Sequence, residues 1–194
     1  MDLLEGHSRA QDTFARVLAR VSPNQYGECT PCEEWTVHDL VEHVVGGNNR
    51  TAAGHPGSPV GQPALDGLVE GADPTELFTA SAQRAQSVFA APDGLAQMFE
   101  LPFGSLPGSV VIGMRTTDVL VHAWDLAVAT SQATDLDPEL AQSCLETARD
   151  RLQESFRGPG RPFGAAQECP RGRPVADELA AFMGRRLVIQ LPGA

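Results

Sequence analysis

Apolar residues recur along this chain mostly at helical intervals, and the longest such run lies at 109–130, SVVIGMRTTDVLVHAWDLAVAT. At about 100° per residue, Val110, Val111, Ile112, Val119, Leu120, Val121, Trp124, Leu126 and Val128 spread round most of the circumference. The pattern predicts a helix capped at Ser109 and buried on several sides. Asp118 and His122 stand one above the other on it, and Asp125 follows on the same stripe. A carboxylate in apolar surroundings must be paired or must bind a cation. A plain hydrogen bond between Asp118 and His122 would also satisfy that demand.

The remaining elements follow from caps and breakers. A first helix is expected from Asp2 to about Val21, with Leu3, Leu4, His7, Phe14, Val17, Leu18 and Val21 giving an incomplete 3.6-residue period, His7 most simply a boundary residue, and Ser22-Pro23 as the stop. Thr36 and Asp39 form a capping box for a second helix, whose apolar face is Val37, Leu40, Val41, Val44 and Val45. His43 lies at the edge of that face, and His38 points elsewhere. Gly46-Gly47 either admits another backbone or a ligand, or marks a fraying end.

A long crossover loop is expected over 54–73, rich in Gly, Pro and Ser. Asp73-Pro74-Thr75-Glu76 then launches a third helix to about Ala90, with Leu77, Phe78, Ala82, Ala85, Val88 and Phe89 inward. A small hairpin or extended loop occupies 92–107. Asp137-Pro138-Glu139 starts a helix to about Phe156, followed by an extended surface arm and a short helix from Val175 to about Arg185. The sum is an all-α four-helix bundle with a crossover loop, a hairpin-like insertion and a small C-terminal extension. The expected organisation is one domain over 1–194, with the bundle core at about 1–157 and the arm and last helix at 158–194.

Composition narrows the function. A formal charge of −11 disfavours nucleic acid and anionic lipid as partners. No apolar run approaches the roughly 20 residues needed to span a bilayer, and the first residues lack a signal-peptide pattern, which points to the cytoplasm. Cys29-x-x-Cys32 lacks the second ligand pair of a zinc site. In contrast, His43 on one long helix and Asp118 with His122 on another offer two imidazoles and a carboxylate to the bundle interior. Such a set suits a divalent metal, Zn, Ni, Fe or Mn, with positions left open.

The phrases TPCEEWTVHDLVEHVVGGN and DVLVHAWDLAVAT, with LPFGSLPGSV between them, resemble the DinB-like superfamily, and within it the mycothiol-dependent maleylpyruvate isomerase N-terminal-domain group of actinobacteria. The resemblance extends to about Gly164. It implies a DinB-like bundle, with His43, Asp118 and His122 as metal ligands. Asp118 stands where the better-known isomerases carry Glu, one methylene longer. Their separate C-terminal domain is expected to be absent or reduced here, which moves the substrate away from maleylpyruvate.

The resemblance further implies a small-molecule electrophile as substrate and mycothiol as cosubstrate or cofactor, its sulfur activated by the metal for S-transfer or isomerisation. Asp125 and Trp124 are candidates to support the ligands, and Arg50 and Arg115 to hold a carboxylate of thiol or substrate. Apolar residues on the first and third helices leave room for a homodimer. The alternatives are a thiol-independent metal-dependent hydrolase or lyase, and a non-catalytic small-molecule binding or resistance protein with a vestigial metal site.

Overall fold

The computed structural model describes residues 1–56, 72–101, 104–158 and 163–187. Its α-helices are α1 (Leu3–Leu18), α2 (Val37–Ala53), α3 (Pro74–Ala90), α4 (Gly108–Ala129), α5 (Pro138–Arg151) and α6 (Val175–Phe182). Between α3 and α4 stands an antiparallel hairpin, β1 (Met98–Leu101) with β2 (Gly104–Pro107), pairing Phe99 with Leu106. Helix α1 packs on α4 and α2 on α3, while α1–α3 and α2–α4 contacts close a four-helix bundle; α5 and α6 pack on each other and on α4. The fold is therefore all-α with a small hairpin insertion. No helix among the described residues is long and apolar enough to cross a membrane.

Local chemistry sets most of the helix starts. The Asp2 carboxylate accepts from the Leu4 and Glu5 amides, Asp73 from Thr75, and Thr36 and Asp39 form their reciprocal box. Asp137 caps α5 from a left-handed conformation, φ 37°, and Arg9 of α1 grips its carboxylate with Nε at 3.0 Å. Helix α4 departs from expectation by starting at Gly108 without a side-chain cap. The Gly108 and Ser109 amides instead donate to the carbonyls of Gln97 and Leu95, both at 2.8 Å, so the preceding turn and hairpin supply the acceptors.

The main core gathers Phe14, Leu18, Leu40, Val41, Val44, Leu120, Leu126, Leu145 and Leu179, and a smaller cluster of Phe89, Phe99, Val111 and Ile112 lies beside the hairpin. All five apolar positions expected on α2 are buried, and the helix runs through Gly46-Gly47 to Ala53 without fraying. His7 is a correction: it is fully buried, not a boundary residue. Helix α1 ends at Leu18 and α5 at Arg151, earlier than expected; after α5, Leu152 turns extended before a short 3-10 turn at Glu154–Phe156.

The expected crossover loop falls largely on 57–71, outside the described residues, as do 159–162 of the arm. The arm is less superficial than expected where it begins. Arg157 is buried, its Nη1 donates to the Phe182 carbonyl at 2.8 Å, and its guanidinium lies 4.4 Å from the Phe182 ring centroid. Helix α6 stops three residues before Arg185. Gly184 takes φ 98°, and the Gly184 and Arg185 amides donate to Ala181 and Ala180, a glycine-terminated cap that turns Arg185 back toward α4.

Candidate metal centre

Helix α2 contributes His43, and α4 contributes Asp118 and His122 one turn apart. Their donor atoms all lie within 4.8 Å of one another. His122 Nε2 is 3.5 Å from Asp118 Oδ1, and the His43 and His122 ring centroids are 4.9 Å apart. Two ligand atoms each about 2.0–2.1 Å from a tetrahedral zinc stand roughly 3.4 Å apart, so the His122–Asp118 spacing matches a shared ion. Trp35, in the turn before α2, lies tilted 4.6 Å from the His43 ring and stacks at 5.9 Å on His122. Its carbonyl is held by both the amide and the hydroxyl of Thr30, each at 3.0 Å.

The electrostatics differ from ligand to ligand. Burial lowers the pKa of His43 to about 4, with the neighbouring His122 adding to the effect, so His43 is neutral near pH 7 and offers a lone pair. It makes no hydrogen bond among the described residues and lines a cavity of about 540 Å³ with Glu34, Trp35, Asp39, Glu42, Gly46 and Arg50. Burial opposes charge on His122 as well, but Asp118 at Nε2 and Asp125 at Nδ1 outweigh it and raise its pKa well above the usual imidazole range. Asp118 stays ionised because Arg115 and His122 overcome its burial. Its side chain keeps 35% exposure, the open side of the cluster.

Behind His122 lies a second layer. The Nδ1–H donates to Asp125 Oδ2 at 3.0 Å, which leaves Nε2 on the side of Asp118. Asp125 is fully buried, and it also accepts from Arg185 Nη2 at 2.8 Å, Arg185 Nε at 3.1 Å and Cys32 Sγ at 3.2 Å. A histidine whose far nitrogen donates to a carboxylate is the usual support of a metal-bound imidazole. Two imidazole nitrogens and one carboxylate oxygen, backed in this way, fit Zn, Ni, Fe or Mn.

Cys32, His122 and Asp125 also lie close enough to hold an ion, as do His38, Asp39 and Glu42. In the first group the Arg185 guanidinium already supplies the positive charge, and the second sits at the solvent-exposed start of α2.

The structure thus brings together His43, Asp118, His122 and Asp125. Arg50 lines the cavity beside them. Trp124 faces away, its Nε1–H donating to Asp177 Oδ1 at 2.7 Å, which ties α4 to α6. Arg115 is not free to grip a substrate carboxylate, because its two terminal nitrogens are engaged by Asp118, Asn48 and the Val44 carbonyl. Sequence reasoning missed Arg185, Asn48 and the inward turn of Cys32. Arg185 lies 60 residues from Asp125 with no periodicity to link them, and the Cys-x-x-Cys spacing suggested a pair where Cys29 is exposed and Cys32 alone reaches the site.

A family model described as the mycothiol maleylpyruvate isomerase N-terminal domain matches residues 7–127. Uncharacterized proteins from two strains of Mycobacterium tuberculosis are each 54% identical over 186 residues, covering 95% of this chain and 98% of their own. Crystal structures of the mycothiol-dependent maleylpyruvate isomerase and of a histidine-to-alanine mutant superpose with TM-scores of 0.58 and 0.59. Their identities are 21% and 20%, over 84% of this chain and 75% of theirs, so the likeness is one of fold.

Proposed function

The chain belongs to the family of the mycothiol maleylpyruvate isomerase N-terminal domain, and on that premise we propose that it is a divalent-metal-dependent enzyme using mycothiol on a small electrophile. The observation that carries this reading is the imidazole of His43, without a hydrogen bond among the described residues, which lines a cavity and stands within ligand distance of His122 and Asp118. A divalent cation bound there lowers the pKa of a coordinated thiol, making thiolate available near neutral pH.

The chain's own residues do the rest. His43, His122 and Asp118 would hold the ion, which would take the place of the His122 Nε2 proton, while Asp125 keeps the other proton on Nδ1. Trp35 packs against both rings from the cavity side. Glu34, Asp39 and Glu42 outnumber Arg50 around the cavity, so beyond the reach of the ion's own double charge that wall supports an uncharged or cationic group over the second carboxylate of a dicarboxylate such as maleylpyruvate. Because Arg185, from the last described segment, grips Asp125, the whole chain is proposed to work as one domain.

The test is thiol binding to metal-loaded protein. Calorimetric titration with mycothiol should saturate at one equivalent and disappear in His122→Ala or after chelation. Turnover of an electrophile without any thiol would favour metal-dependent hydrolysis or lysis instead. Tight binding of a small molecule, unaffected by chelation, would favour a non-catalytic binding protein.

A further inference from the structure

We propose that Asn48 and Arg115 form a clamp that makes Asp118 a one-oxygen ligand, an inference that rests on the metal centre proposed above. Arg115 lies one α4 turn before Asp118, and its Nη1 donates to Asp118 Oδ2 at 2.6 Å. The other oxygen, Oδ1, is the one facing His122 Nε2 at 3.5 Å. A short, charge-assisted bond thus commits one carboxylate oxygen away from the cluster and presents the second to it.

The guanidinium is held in turn. Its Nη2 donates to Asn48 Oδ1 at 3.1 Å. Asn48 is fully buried, and its amide is fixed from both ends: Nδ2 donates to Gln11 Oε1 at 3.1 Å and Ser81 Oγ at 3.3 Å, while Oδ1 also accepts from Gln11 Nε2 at 3.0 Å. Gln11 lies on α1, Asn48 on α2, Ser81 on α3 and Arg115 on α4, so all four bundle helices fix one polar chain that ends on Asp118. Neighbouring Gly47 provides the space: a Cβ there would stand 2.5 Å from Arg115 Nη1 and 2.8 Å from its Cζ. Gly46-Gly47 is therefore partly explained by a side chain of this protein reaching across from α4, rather than by a ligand or by a frayed end.

The chemical consequence follows from coordination number. An aspartate free to turn can chelate through both oxygens and fill a position that a thiol and an electrophile need. With Oδ2 held by Arg115, bidentate binding is closed, and the shorter reach of aspartate is offset by a fixed direction. Asn48 and Arg115 are positioning residues, acting through Asp118, and touch neither ion nor substrate.

The test uses full-length protein, Zn²⁺ affinity from competition with a chromophoric chelator, and the visible absorption of the Co²⁺-loaded form. Asn48→Ala and Gly47→Ala should each weaken Zn²⁺ binding by about 10–100-fold, the usual range for outer-shell support. Their Co²⁺ bands should fall in intensity as Asp118 becomes bidentate and coordination number rises. Arg115→Lys, which keeps the charge but not the fork, should lie between wild type and Asn48→Ala. Gln86 of α3 joins the same network from its far end, through His7 to Gln11, and Gln86→Leu should lower thermal stability with Zn²⁺ affinity and Co²⁺ spectrum unchanged.

Wild-type affinity and spectrum in folded Asn48→Ala would overturn the clamp while leaving the metal centre intact. Should Asn48→Ala not fold, the same result in Gly47→Ala would do so. If the wild-type protein holds no ion at His43, Asp118 and His122, the centre fails and the clamp fails with it.

Discussion

His7 and His43 lie on two bundle helices, and burial takes both to a pKa of about 4, yet of the two only His43 stands beside other candidate ligands, Asp118 and His122. His7 Nδ1 meets Gln86 Oε1 at 2.6 Å and its Nε2 meets Gln11 Nε2 at 3.1 Å, so a neutral ring donates from one side and accepts on the other. Its ring edge packs on Phe89 and nothing of it reaches solvent. His43 has aromatic neighbours but no hydrogen-bond partner among the described residues, and it opens onto a cavity. What separates a core histidine from a candidate ligand here is whether the neighbours have already used its lone pair. Burial alone does not distinguish them.

Removing the His7 ring should give the largest stability effect. His7→Ala leaves a void and takes a partner from the buried Gln11 amide and the half-buried Gln86 amide, so unfolding free energy from urea titration should fall by about 3–4 kcal/mol. Bound metal should be unchanged. His43→Ala should lower stability by only about 1 kcal/mol or less, because its ring is half-buried and forms no hydrogen bond. Equal losses in the two variants would erase the contrast.

Acid sharpens it next. The folded pKa of His7, about 4, lies below its ordinary value of 6.5, so between these limits the unfolded chain binds a proton that the folded chain refuses. Its contribution is complete above pH 6.5 and is lost as pH falls toward 4, amounting to roughly 3 kcal/mol. Denaturation curves at pH 7.5, 5.5 and 4.5 should therefore show the gap between wild type and His7→Ala narrowing with acidity. Parallel curves would show that His7 does not titrate in this window.

Asp125→Asn probes the other network. The amide keeps the shape but removes the charge that orients His122 and neutralises Arg185, so Zn²⁺ affinity should fall about 10–100-fold. Unaltered affinity would show that Asp125 serves only Arg185 and the fold.

The smallest effect is expected from the cavity wall. Neutral 2-mercaptoethanol should bind the Co²⁺-loaded protein severalfold more tightly than mercaptosuccinate at low salt, as the carboxylates around the cavity repel a dianion. Glu42→Gln should narrow that ratio, and a preference for mercaptosuccinate would revive a dicarboxylate substrate.

Much of the fold was legible because helix signals are local. Thr36 with Asp39, Asp73 with Pro74, and Asp137 with Pro138 mark their starts within a few residues. The stripe of Asp118, His122 and Asp125 was legible for the same reason, since a helix fixes which neighbours share a face. His7 was misplaced because its partners Gln11 and Gln86 are uncharged amides, one of them on another helix, and no periodicity announces a polar contact between helices. Arg185 escaped notice because its position depends on Gly184 ending α6 in the left-handed conformation and turning the chain inward. Arg115 carried a visible charge at a visible spacing from Asp118. That its second nitrogen would spend itself on Asn48 of α2 depends on how two helices pack.

The central claim concerns one ion and three side chains, and metal content is its most direct measure. Elemental analysis of the purified full-length protein, dialysed against metal-free buffer, should find about one equivalent of Zn, Ni, Fe or Mn. That equivalent should be lost in His43→Ala and in His122→Ala and retained in His7→Ala. A protein that holds no divalent ion, or one whose ion survives both substitutions, would contradict the account.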